Sequence, residues 1–76
     1  RLDPLTENDA ALGLLARELM GAAALRAERW ADARGHYEFV QFAIGAPQGA
    51  QRRAAEALAY INAEAPAAPA PEETQP

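Results

Sequence analysis

Cysteine, serine and lysine are missing from this chain of 76 residues, and each absence removes a class of function. Without cysteine there is neither a disulfide framework nor a thiolate metal site. With no serine or cysteine, the usual nucleophiles of covalent catalysis are gone as well. All seven basic residues are arginine, against eleven acids, for a net charge of −4. Nucleic-acid binding is not expected, because neutralising a phosphate backbone needs clustered cations. No apolar run approaches the roughly 20 residues required to cross a bilayer. Aromatics are scarce, with one tryptophan, two tyrosines and two phenylalanines, so each must be accounted for individually.

What is present is alanine. Half of the residues are hydrophobic, but much of that half is alanine, which favours helix and buries little area. The end of the chain, Ala65-Pro66-Ala67-Ala68-Pro69-Ala70-Pro71 and then Glu72-Glu73-Thr74-Gln75-Pro76, reads as a disordered tail or linker, since repeated prolines remove amide donors. A helical domain over 1–63 and a tail over 64–76 follow. A core drawn from so short a domain is thin. Its stability is expected to depend on a partner, a second copy or the rest of a longer chain. The opening at Arg1 is that expected of a processed protein or an excised fragment.

Three helices are expected. The first begins at Asp3-Pro4 or at Thr6-Glu7-Asn8-Asp9 and runs to about Ala27, with Leu12, Leu15, Leu19, Ala22 and Ala23 as its apolar recurrence. Gly13 and Gly21 each cost a helix up to about 1 kcal/mol, so both are expected where another backbone packs closely. The second runs from about Trp30 to Ile44, with Trp30, Ala33, Tyr37, Val40 and Ile44 on one stripe. Gly45-Ala46-Pro47 breaks it. The third covers about Gln48 to Asn62, burying Ala50, Ala54, Ala57, Leu58 and Ile61 and exposing Arg52, Arg53 and Glu56. The fold class is all-α: an antiparallel hairpin plus a third helix.

Two segments, Met20-Gly21-Ala22-Ala23-Ala24-Leu25 and Ala54-Ala55-Glu56-Ala57-Leu58-Ala59, repeat one pattern of small and apolar residues. Met20 and Ala54 lie 34 positions apart, the period of a repeat that stacks antiparallel helix pairs. With Met20-Gly21 as the Leu-Gly pair of a helix A, Trp30, Ala33 and Tyr37 as the marks of a helix B and Pro47 near the closing proline, residues 14–61 resemble one tetratricopeptide repeat followed by a capping helix. Ala24, Glu28 and Val40 depart from the pattern, Glu28 standing where glycine usually makes the turn. A three-helix bundle unrelated to that family is the competing architecture.

The resemblance implies a concave groove that receives a peptide. Glu18, Ala22, Leu25 and Arg26 would face it from the first helix, and Arg52 and Glu56 from the cap. Arg52 is the expected bidentate partner of a peptide carboxylate, although an exposed helical arginine is ordinarily only solvated. Phe39 and Phe42 are the other partner-binding candidates, because aromatics concentrate binding energy in desolvated pockets. The heavier expectation for that pair is burial under the first helix or the third. A homo-oligomer would satisfy both.

His36, the only histidine, is expected to face solvent, and Glu28, Asp32 and His36 to form a polar stripe rather than a metal site. No catalytic residue, metal or cofactor is expected. The leading expectation is an interaction or assembly module that binds a peptide or helix of a partner protein. A small accessory subunit of a larger complex is the alternative. Alanine-rich, lysine-free usage fits a high-GC bacterial source, with the compartment open between periplasm or envelope and cytoplasm.

Overall fold

A computed structural model describes residues 4–66, with side chains from Asp9 onward. The chain is all-α: α1 covers Pro4–Arg26, α2 Trp30–Phe42 and α3 Gln48–Glu64. The tail at 67–76 and the possible cap at Asp3 lie outside the described residues. No helix among the described residues is long and apolar enough to cross a membrane.

The connection between α1 and α2 is a Schellman motif. The Arg29 N–H donates to Ala24 O at 2.8 Å and the Glu28 N–H to Leu25 O at 3.0 Å, while Glu28 sits in the left-handed region with φ 59°. Two orphan carbonyls at the end of α1 are thereby satisfied. The chain reverses, and α2 runs back along α1. After Phe42 a turn through Gly45, φ 85°, reverses it again into α3. Only a residue without Cβ takes that conformation at no steric cost.

The central element is α2, which packs against both neighbours, whereas α1 and α3 make few close approaches to one another. Ala33, Tyr37 and Val40 of α2 are buried with Ala24 of α1 and Ala50, Ala54, Leu58 and Ile61 of α3. Trp30, Leu14, Leu25 and Ala57 pack partly buried around that core. The indole of Trp30 meets the ring of Tyr60, centroids 6.5 Å apart, and the Arg34 guanidinium donates to Asn62 Oδ1 at 2.8 Å. Both contacts fix α3 against the start of α2.

Gly21 meets its expectation of close contact, though against a ring rather than a backbone: a Cβ there would lie 2.9–3.2 Å from three atoms of Tyr37. Gly13 does not, since a Cβ there would meet nothing within 4 Å. The recurrence Leu12, Leu15, Leu19 also falls on the wrong side. These leucines are 61%, 50% and 61% exposed, and α1 turns Leu14, Gly21, Ala24 and Leu25 inward instead. Ile44 extends the period of α2 in the sequence but lies past its last turn and is fully exposed.

Candidate protein-binding surface

Antiparallel pairing brings the first half of α1 alongside the end of α2, where residues of both border one hollow. The result is an open groove of about 420 Å³ lined by Ala10, Gly13, Leu14 and Arg17 of α1 with Phe39, Ala43 and Ile44. Small residues make its floor. Gly13 borders it, and a Cβ there would meet nothing within 4 Å. Phe39 walls one side at 49% exposure, and the Arg17 guanidinium lies over its ring, 4.0 Å from the centroid. That stacking holds a cation at the rim of an apolar slot while leaving its N–H groups for a second partner.

The expectation that Phe39 and Phe42 pack under α1 or α3 fails. Phe42, three residues on, is 73% exposed, because the core face of α2 is taken by Ala33, Tyr37 and Val40 and the two phenylalanines project from the other faces. As partner-binding candidates both are therefore accessible.

The remaining expected groove residues divide. Leu25 packs partly buried against the core and is not presented outward. Glu18 is engaged within the chain: Arg53 Nε donates to Oε1 and Arg53 Nη2 to Oε2, both at 3.0 Å. The bidentate fork expected at Arg52 thus forms at Arg53, with the neighbouring helix instead of a peptide, and it raises the guanidinium pKa through the hydrogen bond and the charge of Glu18. Arg26, Arg52 and Glu56 are exposed. Tyr37 sits near this pair, and its hydroxyl pKa is raised above 10 by burial first and the Glu18 charge second, with Arg26 opposing.

His36 is partly buried rather than facing solvent, lining a hollow with Met20, Ala23, Ala24 and Arg29. Its Nδ1 is buried and has no hydrogen-bond partner among the described residues. Asp32 is paired with Arg29, whose Nε donates to Oδ2 at 3.2 Å. No three of His, Cys, Asp and Glu converge as metal ligands among the described residues.

Sequence reasoning overlooked Gly13, Arg17 and Ala43 as parts of one slot. Ala10, Gly13 and Arg17 recur at steps of three and four, which places them on one helix face. Comparison with protein-family models, curated proteins and solved structures gives no match. The reading of function therefore rests on the geometry.

Proposed function

We propose that this chain is a protein–protein interaction or assembly module, of tetratricopeptide type, that receives a helix of a partner protein in the groove between α1 and the end of α2. One observation carries the reading: the large apolar side chains outside outnumber those within. Tyr37, Val40, Leu58 and Ile61 share the core with four alanines, while Leu12, Leu15, Leu19, Met20, Phe39, Phe42, Ile44 and Tyr60 are exposed. Of these, Phe39 and Ile44 border the groove, and exposed apolar surface in excess of the core marks contact with another molecule. The hairpin with glycine against the helix B aromatic, Gly21 on Tyr37, supports the family resemblance. The binding role does not depend on it.

The slot suits an amphipathic helix. A leucine or phenylalanine of the partner would enter over Gly13, and a flanking carboxylate would reach the Arg17 guanidinium. No catalytic role is proposed for His36.

Amphipathic helical peptides with leucine at three- and four-residue steps and an acidic flank, titrated by fluorescence anisotropy, test this. Gly13→Leu fills the slot from an open position, so binding is expected to weaken at least about tenfold while the thermal melt is unchanged or raised. Peptides that bind the variant equally, or a panel in which none binds, would remove the groove as the site.

The thin, alanine-filled core favours a second reading, an accessory subunit ordered by its neighbours in a larger complex. A concentration-independent cooperative melt of the isolated chain decides against it.

A further inference from the structure

On the side of α1 opposite Gly21, away from the groove, Leu12, Leu15 and Leu19 stand exposed, with Ala16 between them and Ala23 one turn beyond. Steps of three and four between the leucines make this a continuous seam of the kind that packs against another helix. Its charges are polarised along the axis. Asp9 lies exposed before the first of these leucines and Arg26 exposed after the last. Among the described residues the ion pairs are Arg29 with Asp32 and Arg53 with Glu18, so neither end of the seam is engaged.

We propose that this seam takes a second copy of the chain, the two α1 helices crossing antiparallel about a two-fold axis level with Arg17 and Glu18. Each residue then faces the one whose number brings the pair to 35. Leu12 comes level with Ala23 of the other copy, Leu19 with Ala16, Leu15 with Met20, and Asp9 with Arg26. Leu12 and Leu19 come level with alanines, which lets the helices approach closely, and each acidic end comes level with a basic one. A parallel pair would instead put leucine on leucine, Asp9 on Asp9 and Arg26 on Arg26. Arg17 and Glu18, at the level of the axis, project from the other side of α1, toward Phe39 and Arg53, so no like charges meet there. Opposed helix dipoles favour the same orientation. One helix pair buries less than a standard interface of about 1,600 Å², so association in the micromolar range is expected. The groove over Gly13 plays no part.

Sedimentation equilibrium of the full chain tests the assignment, with circular dichroism to follow helicity. The wild type is expected to dimerise at about 100 µM, and Leu19→Glu to raise Kd at least about tenfold. Its site is exposed, so the fold of each copy is retained. Charge reversal gives the orientation: Asp9→Arg and Arg26→Asp each weaken self-association, whereas an equimolar mixture of the two restores it, since each Arg–Arg or Asp–Asp contact becomes Arg–Asp. A wild type still monomeric at about 500 µM, a dimer indifferent to Leu19→Glu, or variants that fail to complement would overturn the proposal. None of these outcomes alters the response of peptide binding to Gly13→Leu, so groove and seam stand or fall separately.

Discussion

Two glycines in the same helix face opposite consequences. Gly21 lies under Tyr37, and its missing Cβ would come within 2.9 Å of Cε2 and 3.0 Å of Cζ of a ring that is itself held in the core. Gly13 borders empty space. Alanine improves helix propensity at both positions by up to about 1 kcal/mol. At Gly21 that gain is outweighed by overpacking, which costs about 1–3 kcal/mol when the neighbour cannot withdraw. Gly21→Ala is therefore expected to lower stability by about 1 kcal/mol and Gly13→Ala to raise it by about the same, read as opposite shifts of the denaturation midpoint. The clash, not the propensity, is the discriminating quantity. In a Tyr37→Leu background, Gly21→Ala should cost little further stability, because removing the ring removes the collision. Equal shifts in the same direction would mean that the ring yields freely.

At the joint between α1 and α2, one residue's backbone conformation decides how two elements meet. Glu28 holds φ 59°, a left-handed conformation that costs a residue bearing Cβ about 1 kcal/mol. The backbone bonds of Arg29 to Ala24 and Glu28 to Leu25 keep it there. Glu28→Gly is expected to stabilise the hairpin by about 0.5 kcal/mol, the relief of strain exceeding the added freedom of the unfolded chain, and Glu28→Val to destabilise it. Chemical denaturation of the two variants checks the sign. The turn was legible in sequence as the interval between a helix ending about Ala27 and one starting about Trp30, and so was α2, where Trp30, Ala33, Tyr37 and Val40 recur against polar neighbours. The core face of α3 was legible for the same reason, with arginines and a glutamate on its other side. The face of α1 was not. That helix carries leucine on several sides, at 12, 14, 15 and 19, so periodicity alone could not say which of them α2 would cover. Nor did Phe42 and Ile44 reveal their exposure. One projects away from a core face already filled, and the other lies past the last turn of α2, just before Gly45 turns the chain.

At the scale of the molecule, the order of packing makes α2 the keystone. Its buried residues Ala33, Tyr37 and Val40 touch helices on both sides, while α1 and α3 are linked chiefly by the Glu18–Arg53 pair. An ion pair with one partner open to water is screened by salt and contributes little. The third helix is therefore held by Ala50, Ala54, Leu58 and Ile61 on α2, not by its charge contact with α1. Native-state hydrogen exchange should find the slowest amides between Ala33 and Val40 and faster ones toward the beginning of α1, where the helix outruns its neighbour. Arg53→Gln is expected to leave that ranking intact, with α3 keeping its protection relative to α2. Selective loss of protection in α3 on that substitution would instead assign the third helix to electrostatics, and the apolar seam between α2 and α3 would then be too weak to hold it.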